Sequence, residues 1–94
     1  MVKKGNGEHD RLCDLVASLT SSLYGGTIEK HVVYHKGELD ILHIINSQKI
    51  YYEIKSNYSV KNFKKGEKQI HRAMSYGICD MGYVISPQKT IKII

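Results

Sequence analysis

The stretch Gly37-Glu38-Leu39-Asp40-Ile41-Leu42-His43-Ile44-Ile45-Asn46-Ser47-Gln48-Lys49-Ile50-Tyr51-Tyr52-Glu53-Ile54-Lys55-Ser56 constrains the fold more than any other part of the chain. Two β-branched and aromatic runs flank Asn46-Ser47, a pattern that predicts a hairpin with strands over roughly 38–45 and 49–56. With Asn46-Ser47 as a two-residue turn, Ile45 pairs with Gln48 and Ile44 with Lys49. Counting outwards sets Asp40 opposite Glu53, and Lys55 shares the face of Glu53. Directly opposed side chains have Cβ atoms about 4.5–5.5 Å apart. A three-residue loop would instead put the acids on opposite faces.

Two carboxylates that close repel. The pair then needs a raised pKa on one acid, a cation between them, or both. A hard ion such as Mg²⁺ takes carboxylate oxygens and keeps several waters. With Lys55 beside it, that is a set of parts for metal-assisted phosphodiester hydrolysis. The plain alternative is a solvated strand face of alternating charge. Against it stand the apolar setting of these charges, the juxtaposition of Asp40 with Glu53, and the basic segment that follows.

The rest of the chain supplies the partners of the hairpin. Residues 1–7 read as a flexible polar lead-in. Leu12, Leu15, Val16, Leu19 and Leu23 then form one apolar stripe, which predicts a helix over 8–24 stopped by Gly25-Gly26. Residues 27–34 are strand-like. Residues 57–77 predict a loop to about Lys61 and a helix to Tyr76, with Gly66 weakening its early part by about 1 kcal/mol against Ala. Residues 81–86 predict a strand, Pro87-Gln88 a turn, and 90–94 a short last strand. The expected fold is a single α/β (α+β) domain over 1–94, a mixed sheet flanked by helices.

Of 94 residues, 14 are Lys or Arg and 9 Asp or Glu, a formal net charge of +5. A basic balance favours nucleic acid as partner. Its distribution sharpens this: Lys55, Lys61, Lys64, Lys65, Lys68 and Arg72 face only Glu67 between them. These lysines are expected to contact substrate phosphates. Gln69, Arg72 and Tyr76 share a helical face, and Gln69 can reach a phosphate or a metal-bound water. Tyr58 and Tyr76 are expected to be half in the core. Cys13 and Cys79 lie far apart without a C-x-x-C pair, so both are expected to be small buried apolar residues. His9, His31, His35, His43 and His71 have no H-E-x-x-H spacing. His43 is expected in the core; His9, beside Glu8, could reach the site but is not assigned to it. No Gly-rich phosphate loop and no Ser or Cys nucleophile with a base partner is present. With no apolar run of signal-peptide or spanning length, the expectation is a soluble intracellular protein. A core this small buries only about 60–65% of the unfolded surface, which favours a homodimer.

Gly37-Glu38-Leu39-Asp40, a strand turn, then Glu53-Ile54-Lys55 resembles the PD-(D/E)XK nuclease superfamily, nearest to minimal VRR-NUC nucleases and archaeal-type Holliday-junction resolvases. Leu39 stands where the motif often has Pro. The resemblance implies a restriction-endonuclease-like αβββαβ core. It implies metal ligation by Asp40, Glu53 and the Ile54 carbonyl, with Lys55 catalytic. It adds Glu8 from the first helix as a further catalytic and metal-binding acid, and Gln69 on the helix after the motif. The expectation is an Mg²⁺- or Mn²⁺-dependent DNA endonuclease, selective for Holliday-junction or other branched DNA. Two other classes compete: a non-catalytic basic nucleic-acid-binding module on the same scaffold, and a protein-interaction domain whose charge serves solubility.

Overall fold

A computed structural model describes residues 7–94. The expected lead-in over 1–7 lies almost wholly outside the described residues. The elements run α1 (Gly7–Tyr24), β1 (Thr27–Tyr34), β2 (Gly37–Ile45), β3 (Gln48–Ile54), α2 (Val60–Ser75), β4 (Met81–Ile85) and β5 (Thr90–Ile93). The strands form one sheet in the order β1-β2-β3-β4-β5. Only β3 and β4 run parallel, joined through α2, and the other pairs are antiparallel. The mixed α+β architecture expected from the sequence is thus what forms. No helix among the described residues is long and apolar enough to cross a membrane.

The hairpin closes as the sequence dictates. Asn46 and Ser47 have φ of 52° and 66°, the left-handed pair that a two-residue turn requires. Ile45 pairs with Gln48, Ile44 with Lys49, and the ladder continues to Ile41 and Tyr52. Side chains of the hairpin then feed two cores. Leu39, Leu42, Tyr51, Ile70, Ala73 and Val84 pack together on the α2 side. Ile41, Tyr52 and Ile54 pack with Cys13 and Ala17 on the α1 side.

Leu39 and Leu42 are three apart yet share the α2-side core, so the alternation of β2 is interrupted between them. The neighbouring strand bends at the same level. His31 has φ 57°, and the paired residues on either side of it are Lys30 with Ile41 and Val32 with Leu39. This double irregularity behaves as a bulge does, re-aiming a side chain where regular pairing stops. The re-aimed residue is Asp40.

Both helices form within one or two residues of the expected bounds, and packing sets which face of each is buried. On α1 the buried residues are Cys13, Ala17 and Thr20, at helical spacing. Leu15, Leu19 and Leu23 are 50%, 52% and 70% exposed, and Leu12 and Val16 are half-buried. The stripe therefore meets the core only through Leu12 and Val16, while Leu15, Leu19 and Leu23 face outward. The α1 side of the sheet is already filled by Ile41, Tyr52 and Ile54, so a helix lies close to it only on small residues. Helix α2 starts at Val60, where Ser59 caps it: its Oγ accepts from Asn62 N at 3.0 Å. Gly66 is buried, and a Cβ there would sit 2.9 Å from Val84 Cγ2 and 3.3 Å from Glu53 Cγ. The missing side chain lets α2 approach the sheet directly over Glu53.

Candidate active site

Strand β3 presents Tyr51, Glu53 and Lys55 along the α2 side, the first in the core and the last at its end. Lys55 N donates to Ile85 O at 2.9 Å, so the amides of Lys55 and Glu53 turn towards β4. The N–H and carbonyl of Ile54 therefore turn the other way, towards β2. There the backbone ladder has ended, and Ile54 N donates at 2.9 Å to Asp40 Oδ2. A side-chain carboxylate replaces the next backbone acceptor.

This geometry corrects the expectation of two acids facing each other across one sheet face. Continuing the register one step does set Asp40 beside Glu53, but the Asp40 carboxylate turns into the space between the strands. It reaches α1 as well: His9 Nε2 lies 3.3 Å from the same Oδ2. The cause is the interrupted alternation of β2 opposite the left-handed His31.

Glu53 is 5% exposed and surrounded by donors. Tyr51 OH donates to its Oε1. Lys55 Nζ is 3.2 Å from Oε2. With the Gln69 amide turned so that its nitrogen meets acceptors, that nitrogen donates to Glu53 Oε2 at 2.8 Å and to Lys65 O at 3.3 Å. Burial, and then the nearby charge of Asp40, push Glu53 up from 4.5 to about 7. The bonds from Tyr51 and Lys55 oppose that rise without cancelling it. Burial foremost, followed by the charge of Glu53, also raises the Tyr51 hydroxyl, so Tyr51 stays a donor.

Lys55, Lys65, Lys68, Gln69 and Arg72 line one cleft of about 410 Å³. The expected substrate-binding residues thus largely converge, and Gln69 joins the cleft to Glu53. Lys61 and Lys64 are exposed on α2 but do not line this cleft. Tyr58 is half-buried as expected, whereas Tyr76 is exposed and its ring lies against His35 and Tyr34.

Glu8 does not join the two acids. It is exposed and forms an ion pair with Arg11, one helical turn on. The residue of α1 that reaches Asp40 is its neighbour, His9. In a helix, successive residues point about 100° apart, so an assignment off by one residue changes the face entirely. The leucine spacing gives a stripe but not which part of it meets the sheet, so it carries no signal for that phase. With Cys13, Ala17 and Thr20 inward, His9 falls on the inward side and Glu8 does not.

His43 is buried as expected. Its Nε2 lies 2.7 Å from Gly25 O, and its Nδ1 3.0 Å from Tyr52 OH. A carbonyl only accepts, so Nε2 carries the proton and a neutral ring accepts the Tyr52 hydroxyl at Nδ1. This bond set ties the end of α1 to the sheet and leaves His43 a structural role. Cys13 and Cys79 are buried free thiols, pushed up chiefly by burial to about 12 and about 11.

No protein-family model, curated protein or solved structure matches this chain.

Proposed function

We propose that this protein is a divalent-metal-dependent DNA endonuclease of the PD-(D/E)XK kind, with Asp40, Glu53 and Lys55 as its reaction centre. One observation carries the reading: Glu53 is buried, pushed up to about 7 by burial and by the charge of Asp40, and held by Lys55 and Gln69, which line a basic cleft. A buried acid is costly, and clusters of this kind are where active sites concentrate perturbed groups.

The donors fit a hard cation. Two carboxylates come from adjoining strands, and the Ile54 carbonyl turns towards β2, the side on which Asp40 lies. Mg²⁺ or Mn²⁺ held by Asp40, Glu53 and Ile54 would lower the pKa of a bound water and offset the repulsion of the acids. The protein's own groups do the rest. Tyr51 and Gln69 fix the rotamer of Glu53. The Lys55 ammonium offers positive charge and a proton where negative charge develops on a phosphate oxygen. Lys65, Lys68 and Arg72 draw the phosphate backbone into the cleft.

Branched DNA is the proposed substrate class, on the resemblance in the motif. The deciding experiment incubates the protein with Mg²⁺ or Mn²⁺ and single-stranded, duplex, flap and four-way-junction DNA. Cleavage is expected, strongest on the branched forms. Asp40→Ala and Glu53→Ala should each abolish it and leave folding and DNA binding intact. Salt-sensitive binding with no cleavage under any divalent ion would establish the non-catalytic module instead. Cutting at the wild-type rate by either variant would refute the site.

A further inference from the structure

Asp40 has a second set of neighbours, unlike the first in chemistry. His9 and Cys13 stand four residues apart on α1, hence on one face of the helix. His9 Nε2 is 3.3 Å from Asp40 Oδ2, and Cys13 Sγ is 4.0 Å from His9 Nδ1. One ligand atom from each of the three residues lies within 4.8 Å of the other two. We propose that His9, Cys13 and Asp40 form a binding site for a thiophilic divalent ion of the Zn²⁺ class, separate from the oxygen-ligand centre and sharing Asp40 with it.

Zn²⁺ bonds to sulfur at about 2.3 Å and to imidazole nitrogen at about 2.0–2.1 Å, usually in a tetrahedron. Those bond lengths put neighbouring ligand atoms roughly 3.3–3.6 Å apart. The His9–Asp40 separation of 3.3 Å already meets that spacing. Cys13 Sγ, within 4.8 Å of the other two ligand atoms, would close on them by up to about 1.3 Å to reach that spacing. The ligands come from rigid elements, a helix and the bent part of a strand. Three protein ligands leave the fourth position to water, and the partly exposed His9 side gives that position access to solvent.

A carboxylate also lies near the other ring nitrogen, beyond direct hydrogen-bond distance. His9 Nδ1 lies 3.7 Å from Asp10 Oδ1. A ligating histidine commonly has a carboxylate behind its other nitrogen, which orients the ring and makes it a stronger ligand. A sulfur donor separates this site from the Asp40–Glu53–Ile54 set. Mg²⁺ avoids thiolate, whereas Zn²⁺, Co²⁺ and Cd²⁺ take it readily. Binding releases the Cys13 proton to solvent, so the ion is held by one thiolate, one neutral imidazole and one carboxylate.

Sharing Asp40 has a consequence that rests on the nuclease reading. An ion between His9, Cys13 and Asp40 engages the carboxylate oxygen that the hard-cation centre needs. Zn²⁺ would then act as an inhibitor of Mg²⁺-dependent cleavage.

Two experiments test the site and its consequence separately. In the first, Co²⁺ is titrated into the full chain and read by absorption. A thiolate-to-cobalt charge-transfer band is expected in the wild type and in Cys79→Ser, and not in Cys13→Ser. No band in the wild type, or one that survives in Cys13→Ser, overturns the site. Should Cys13→Ser not fold, X-ray absorption at the zinc edge decides on the wild type. One sulfur neighbour at about 2.3 Å is expected, and light-atom ligands alone overturn the proposal. Neither readout needs activity, so failure of the nuclease reading leaves this arm standing.

In the second, Zn²⁺ is added to Mg²⁺-dependent cleavage. Cys13→Ser should resist inhibition at least tenfold better than the wild type. Equal inhibition of both overturns the shared use of Asp40.

Discussion

Glu53 sits where burial and a neighbouring negative charge both oppose its ionisation, and its position near 7 has a thermodynamic sign. An unfolded glutamate titrates near 4.5, so between about 4.5 and 7 the folded chain holds more protons than the unfolded one. This group therefore stabilises the fold at low pH relative to high pH, and that contribution is lost as pH rises through 7. Glu53→Gln should raise the melting temperature at pH 8 in chelator, by on the order of 1–3 kcal/mol of stability, and flatten the decline between pH 5 and 8. Calorimetry of both proteins across that range checks it. A variant less stable than the wild type at pH 8 would show that the Tyr51, Lys55 and Gln69 bonds outweigh burial. Asp40 differs: its carboxylate accepts a backbone N–H and keeps partial solvent contact, so its replacement leaves Ile54 N without that acceptor.

Element packing decides what periodicity leaves open. The register of β2 with β3 was legible because a two-residue turn and one buried face fix every later pair, down to Ile41 with Tyr52. The last step was not legible, since the turn of Asp40 depends on a bend shared with β1 at His31. Helix α1 was legible as a helix from the spacing of its leucines. Its rotation was not, because spacing defines a stripe and not what covers it. Two predictions follow from the faces observed. Ala17→Leu should cost about 1–3 kcal/mol by overpacking the α1–sheet contact, while Leu19→Gln should cost close to nothing in a dilute monomer, both read by denaturant unfolding. Gly66→Ala should destabilise by a similar amount despite a helix-propensity gain of about 1 kcal/mol, because the added methyl meets buried Val84 at 2.9 Å. If it stabilises instead, α2 does not rest against the sheet at that point.

For the whole molecule, basic residues gather along a cleft on α2, and three leucines stand outward on α1. The basic residues around the cleft should dominate DNA affinity. Neutralising Lys65, Lys68 or Arg72 should weaken binding and reduce its salt dependence by about one unit of log–log slope each, more than Lys61 or Lys64. Titrations at several salt concentrations read this directly. The opposite helix carries Leu15, Leu19 and Leu23 outward. Beside them is a cleft of about 170 Å³ lined by Leu12, Leu15, Val16, Ile54, Ile85 and Pro87. Leucine knobs and an apolar hollow on one face suit an isologous pairing, so the occupant proposed is a second copy of this chain. Light scattering should report a dimer at micromolar concentration and a monomer for Leu19→Lys, and a monomeric wild type would remove the proposal.

The left-handed residue in the middle of β1 also bears on how the chain would meet copies of itself. Strand β1 ends the sheet, so among the described residues no strand pairs with the outer side of its backbone. Such a border is a template on which further strands can add and grow into insoluble ribbons. The bend at His31 divides that template into two short halves that no straight incoming strand can zip along together. A kink that turns Asp40 away from its strand should therefore also make the outer backbone of β1 a poor seed for polymerisation.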